Sequence, residues 1–330
     1  KIFVIFRNIS CFKDFHAKMY KTMMFKKFQQ TIAKKICFEG IGLHSGKNSK
    51  ITLNPGKEDQ GIVFIRTDLN ENNKVLAKFS NVSSARLCTT IENEHGVKVS
   101  TIEHLLAALY ICDIDNVEIE INNEEVPIMD GSAKDFVDVL KNTEKSVLNQ
   151  TRKYLKITEK FEMLDGDKKI SIEPCDSLKV KFQLNYKNKI IAKQKNEIDL
   201  HGNNLKDVYE ARTFCLFEDI EKIKNSGLAK GGSLENAIVV KEDEVVNKEG
   251  LRNKKEFVNH KILDLAGDFI LSGYRILGKV NCYQGGHQLT NTFLRSLMEA
   301  NSNYFLAELE DLTPSKEVKI KQFHKIAVNA

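Results

Sequence analysis

The sequence predicts an α+β protein of two similar domains that face each other. Three observations carry this expectation: stretches of two-residue apolar alternation, a few longer runs at helical spacing, and recurrence of one element order in the second half of the chain. With 330 residues and 42% apolar side chains, there is material for two cores.

Residues 1–26 form a basic leader, expected to be disordered or to lie upstream of the true start, because Met19, Met23 and Met24 each offer one. The alternative, an organelle-targeting presequence, is short of the Arg and Ser that such segments carry. Domain I is expected over 27–148. Strand alternation appears at 49–53, 61–66, 74–79 and 116–121, with an apolar helical run opened by Glu103 and His104 and a second helix at 133–140. Residues 141–152 are polar and read as the interdomain linker. Domain II is expected over 149–315, with strands at 154–157, 169–173 and 178–184 and a hairpin turn at Asp165-Gly166. It then repeats the order of domain I: a long helix with His260 and Asp264, a strand at 275–283, a glycine loop, and a helix over 289–300. Residues 316–330 are expected to be a C-terminal tail. A site between two such domains is natural.

Charge and cysteine content narrow the function. The net charge is +5, but six lysines and Arg7 stand against Asp14 alone in the first 30 residues, so the body is close to neutral. Nucleic-acid binding, which needs a basic face on the folded body, is not expected. There is no run of eighteen apolar residues, and charges interrupt the first thirty, so neither a spanning helix nor a secretory signal is expected. The seven cysteines are scattered and never form a CxxC pair, which points to a reducing, cytoplasmic setting and away from a thiolate zinc site. Most are read as small core residues, and Cys88, in the polar segment Arg86-Leu-Cys-Thr-Thr90, as a pocket-lining one.

The chemistry concentrates in two segments. In His260-Lys-Ile-Leu-Asp264-Leu-Ala-Gly-Asp268, a helix places His260, Asp264 and Asp268 on one face, where a histidine and a carboxylate four apart can grip a metal ion. A catalytic zinc takes three protein ligands and keeps a position for water, so a third ligand must come from elsewhere. The best donor is Thr101-Ile-Glu103-His104-Leu, whose carboxylate beside a histidine suits proton removal from water acidified by the metal. Each segment has a plainer reading: Ser100-Thr-Ile-Glu103 is also a capping box, and His260 with Asp264 is also an i,i+4 surface pair. Gln284-Gly-Gly-His287 sets a histidine at a helix start, where it suits proton transfer to a leaving group or is simply a solvated loop residue.

Together, Gly40-Ile-Gly-Leu-His44-Ser-Gly, Thr101-Ile-Glu-His104-Leu, Pro127-Ile-Met-Asp-Gly-Ser132, Ala211-Arg-Thr-Phe214, His260-Lys-Ile-Leu-Asp264 and Gly286-His287 stand in the order found in the UDP-3-O-acyl-N-acetylglucosamine deacetylases, zinc enzymes of lipid A biosynthesis. The chain resembles that family over roughly residues 27–310. The resemblance implies two domains, each a β-sheet with two helices, stacked as a sandwich with the helices between the sheets. It implies hydrolysis of the N-acetyl group of an acylated UDP-glucosamine, giving acetate and a free amine.

Carried over by residue, the metal ligands are His104, His260 and Asp264, holding Zn2+, with Fe2+ acceptable to the same donors. Glu103 is the base, His287 the acid, Asp268 its orienting partner and Thr213 an oxyanion donor, while Lys261, Phe214, Leu87 and Cys88 meet the substrate. His44 and Asp130 carry no chemical step. Cys215-Leu216 stands where many relatives have glycine and an aromatic residue, and Arg86 where an apolar residue is expected, which leaves the acyl length open. A monomer is expected, with membrane contact at most peripheral. The competing readings are a metal deacetylase of another nucleotide sugar and an inactive nucleotide-lipid binder, the latter opposed by the intact Glu103, His287 and ligand trio.

Overall fold

The computed structural model describes residues 26–300 and 302–309; the expected tail at 316–330, and the expected leader apart from Lys26, lie outside them. Among the described residues the fold is mixed α and β, with six α-helices and five sheets. The five-stranded sheet of the first half runs Ile36–Ile41, Asn48–Pro55, Val117–Ile121, Ile62–Arg66, Lys74–Leu76, antiparallel except where Ile62–Arg66 lies parallel to Val117–Ile121. Val-Glu-Ile-Glu-Ile explains its inner strand: Val117, Ile119 and Ile121 are fully buried, and the glutamates between them lie on the opposite face.

The seven-stranded sheet of the second half is organised by Arg275–Tyr283. This strand pairs in parallel with Tyr154–Ile157 and Leu178–Asn185 and antiparallel with Lys168–Glu173. Leu178, Val180, Phe182 and Leu184 alternate inward with Lys and Gln between them. As the sequence predicts, a hairpin joins Phe161–Asp165 to Lys168–Glu173. Its two-residue turn starts with Gly166 at φ +56°, a conformation glycine adopts without a Cβ clash.

The helices are α1 (Glu103–Ile111), α2 (Lys134–Lys141), α3 (Lys206–Tyr209), α4 (Phe217–Asn225), α5 (Glu256–Phe269) and α6 (His287–Glu299). Residues 103–110 of α1 are all buried, and α5 is buried everywhere except Lys261. Helices covered on all sides belong inside a molecule, and these two pack directly on each other. Helix α5 also meets α6 and the strands Leu178–Asn185 and Lys193–Asp199. One hydrophobic cluster spans both halves, from Leu105 and Phe136 to Phe257 and Phe293.

Four local expectations are corrected. The segment read as a linker contains the strand Lys145–Thr151, antiparallel to Phe28–Ile32, and Arg152 after it is tied to Asp113 and Asp115. A two-stranded ribbon with Val147 62% exposed buries little, so no apolar pattern marks it. The strand expected at 74–79 ends at Leu76, followed by a 3₁₀ turn over Phe79–Asn81. The last long helix starts two residues earlier, at His287 itself. Among the six described cysteines, Cys37 is exposed and Cys175 and Cys215 half-buried, leaving Cys88, Cys112 and Cys282 buried.

Candidate metal centre

Helix α5 presents His260 and Asp264 one turn apart, and the start of α1 brings His104 opposite them. All three side chains are buried, and one nitrogen or oxygen of each lies within 4.8 Å of those of the other two. The imidazoles of His104 and His260 meet edge to face, with centroids 5.0 Å apart.

The donor set fits a cation on an internal observation. The Nδ1 of His260 lies 3.0 Å from the carbonyl oxygen of Ala211, which can only accept, so Nδ1 carries the proton and donates it. The bare Nε2 therefore turns its lone pair toward Asp264 Oδ1, 3.3 Å away. Burial holds the His260 pKa at about 3 despite the Asp264 charge, so this imidazole stays neutral and the pair is no salt bridge. Oδ1 of Asp264 is buried without a hydrogen-bond partner, and His104 Nε2 stands 3.6 Å from it, beyond hydrogen-bonding distance. Acceptors facing each other in a dry site repel unless a positive ion lies between them. Tetrahedral ligands at about 2.1 Å from zinc stand roughly 3.4 Å apart, close to these separations.

Beside this trio sit two buried titratable groups, Glu103 and His287. Glu103 is 3% exposed; burial raises its pKa, opposed by the charges of His287 and His104. Its Oε2 accepts a hydrogen bond of 3.1 Å from the backbone N–H of Thr89, and its Oε1 lies 3.7 Å from His287 Nε2. His287 donates from Nδ1 to Asp268 Oδ2 at 2.8 Å. Burial alone depresses the His287 pKa, but Asp268, Glu103 and Asp264 outweigh it and lift it to about 10, so the ring is cationic at neutral pH. Burial likewise works against the Asp264 charge, yet the cations of Lys261 and His287 help to hold its pKa well below the usual range.

The capping-box reading of Glu103 is overturned. Helix α1 starts at Glu103 after Ile102 without a side-chain cap, and Ser100 Oγ donates instead to the carbonyl of Glu124. Thr101 just before it has φ +55°, a left-handed conformation that breaks the capping geometry and turns the chain into the helix. The surface-pair reading of His260 and Asp264 fails too, since both are buried.

The other expected residues lie around this centre. Lys261 Nζ donates to Asp264 Oδ2 at 2.8 Å and sits 5.7 Å above the ring of Phe214, which in turn lies 6.3 Å from His260. Thr213 is half-buried, its N–H donating to the carbonyl of Gly131 at 2.7 Å. Leu87 is 48% exposed at φ +67°, whereas Cys88 is buried, with its thiol pushed up to about 12 by burial and the nearby Glu103 charge. Asp130 accepts from Ser132 and Arg252, which makes the Met-Asp-Gly-Ser turn a structural device.

Sequence reasoning missed Thr89 and Glu125. Thr89 Oγ1 donates to Asp268 Oδ1 at 2.7 Å while its N–H holds Glu103, so one residue orients both carboxylates that flank His287. Glu125, 1% exposed, accepts from Thr101 Oγ1, His44 N–H and Ser45 N–H, fixing the entry to α1. The sole signal for Thr89 was its place beside Cys88 in the polar segment Arg86-Leu-Cys-Thr-Thr90; Glu125 had none.

The chain is similar to known proteins over most of its length. A family model described as UDP-3-O-acyl N-acetylglycosamine deacetylase matches residues 29–299. A UDP-3-O-acyl-N-acetylglucosamine deacetylase of Geotalea uraniireducens is 42% identical over 283 residues, 86% of this chain and 92% of the relative. Proteins of that name from Citrifermentans bemidjiense and Shewanella sp. strain ANA-3 are 43% and 39% identical, covering 85% and 86% of this chain and 92% and 94% of their own. The matched span holds both buried helices and every side chain of the centre, and the chain belongs to the UDP-3-O-acyl N-acetylglycosamine deacetylase family.

Proposed function

We propose that this protein is a divalent-metal hydrolase that removes the N-acetyl group of UDP-3-O-acyl-N-acetylglucosamine, releasing acetate and leaving a free amine, an early step of lipid A biosynthesis. The observation that carries the reading is the buried facing of two acceptors, His260 Nε2 and Asp264 Oδ1, with His104 beside them. These three residues would hold the ion. We assign zinc; Fe(II) suits the same two-nitrogen, one-oxygen set, so availability decides between them. When bound, such an ion supplies Lewis-acid character and acidifies water.

The protein's own groups then divide the proton work. Glu103 accepts the proton of the attacking water, held in position by the Thr89 amide. His287, cationic and oriented by Asp268, gives a proton to the departing amine nitrogen. The Thr213 hydroxyl supports the oxyanion that forms on the acetyl carbonyl. Lys261 meets substrate oxygens as a point charge, and Phe214, Leu87 and Cys88 contribute walls.

The same reading carries a cytoplasmic, monomeric enzyme with at most peripheral membrane contact; among the described residues no helix is long and apolar enough to cross a membrane. Mass spectrometry of the acylated UDP-sugar after incubation with the protein tests the function. Loss of one acetyl group is expected, and an unchanged substrate with zinc-loaded protein overturns it. Comparing acylated with unacylated UDP-sugar separates this activity from that of a general nucleotide-sugar deacetylase.

A further inference from the structure

Gly267 follows His260 by seven residues and Asp264 by three on α5, so at 3.6 residues per turn it falls on the same face as both, about 4.5 Å beyond Asp264 and about 10.5 Å beyond His260 along the axis. It is buried, and a Cβ built on it would stand 2.0 Å from the carbonyl oxygen of Glu103, 2.8 Å from its carbonyl carbon and 3.0 Å from its Cα. All three neighbours are backbone atoms of the first residue of α1, which cannot swing aside as a side-chain tip can. A methyl group here forces the start of α1 away from α5 by about 1 Å or more before normal van der Waals spacing returns. His104 and Glu103 are the first two residues of α1, so that displacement falls on a metal ligand and the base together.

We propose that Gly267 is a positioning residue for the metal centre: by carrying no side chain, it lets α1 rest on α5 at the distance where His104 closes the trio with His260 and Asp264. This rests on the metal reading above. Glycine is otherwise a poor choice in a helix interior, costing about 1 kcal/mol against alanine. Retention of glycine at this crossing is explained by the contact and not by α5 itself.

The test is zinc affinity by chelator competition, with the visible spectrum of the cobalt-substituted protein, for the parent, Gly267→Ala, and Phe293→Leu as a core-weakened control away from the centre. Gly267→Ala is expected to keep a native far-UV circular dichroism spectrum, to bind zinc about 10- to 100-fold more weakly and to shift the cobalt bands. Its kcat/KM should fall by about 100-fold. Phe293→Leu should lose stability and keep zinc affinity within about twofold of the parent. Gly267→Ala binding zinc like the parent with unchanged cobalt bands overturns the proposal. So does an unfolded Gly267→Ala, which would make the contact a requirement of the fold and not of the site. A parent that takes up no zinc would instead sink the metal reading itself.

Discussion

Glu103 and His260 are similarly buried but differently partnered, and the proposed roles follow from the partners. His260 has one nitrogen committed to the Ala211 carbonyl and the other left bare toward Asp264, the pattern of a ligand. Glu103 has one oxygen on a backbone amide and the other toward a cationic histidine, the pattern of a base kept out of the ligand set. Exchange to alanine should separate them. His260→Ala is expected to lose both bound metal and activity, whereas Glu103→Ala keeps its metal and loses about 10²- to 10⁴-fold in kcat. Metal content by inductively coupled plasma mass spectrometry, set beside steady-state rates, reads both. Unchanged metal in His260→Ala would sink the ligand assignment.

At the scale of elements, the support behind His260 comes from the start of its own helix. Glu256, fully buried one turn before it, accepts from Arg212 Nε at 2.9 Å, from the Arg212 backbone N–H at 3.2 Å and from the Arg252 N–H at 2.6 Å. Arg212 directly follows Ala211, so this buried pair fixes the carbonyl that sets the His260 tautomer. Glu256→Gln removes the buried counter-charge of the guanidinium and should cost about 3 kcal/mol of stability in urea unfolding. A loss within error would show that Glu249, the second partner of Arg212, suffices. Arg212 lies in the Ala211-Arg-Thr-Phe214 motif but carried no role of its own, and Glu256 lies in an ordinary polar stretch. Their pairing spans 44 positions, and no local periodicity encodes a contact of that range.

Across the whole molecule, α1 is also tied to the second half at its far end. The Leu178 N–H donates to Nδ1 of His201 at 3.3 Å, so Nε2 carries the proton and donates to the Tyr110 hydroxyl oxygen at 2.8 Å. Burial, followed by the charge of Arg275, lowers the His201 pKa from 6.5 to about 4. The unfolded chain therefore takes up a proton between pH 6.5 and 4 that the folded chain refuses. This contribution is complete above 6.5 and is lost as pH falls through the window. On the order of 2 kcal/mol should disappear there, once partial exposure of the ring is allowed for. Thermal unfolding followed against pH should show a flatter acid limb in His201→Gln, and an identical limb would refute the link.

The α+β class, the inner strands of the two large sheets and both buried helices were legible from the chain alone, because alternation and 3.6-residue spacing are local properties that burial imposes directly. His260 with Asp264 was legible for the same reason, since four residues of helix place both on one side. Residues 145–151 were misread because a two-sided polar ribbon leaves no apolar signature, and Glu103 was ambiguous because one tetrapeptide suits a cap as well as a catalytic base. What removed the cap reading was tertiary, the left-handed Thr101 before the helix, and it is the bare Gly267 that gives α1 room to settle on α5. The sequence named the donors of the centre, but only packing between distant segments sets how close they stand, and metal binding and proton transfer depend on that distance.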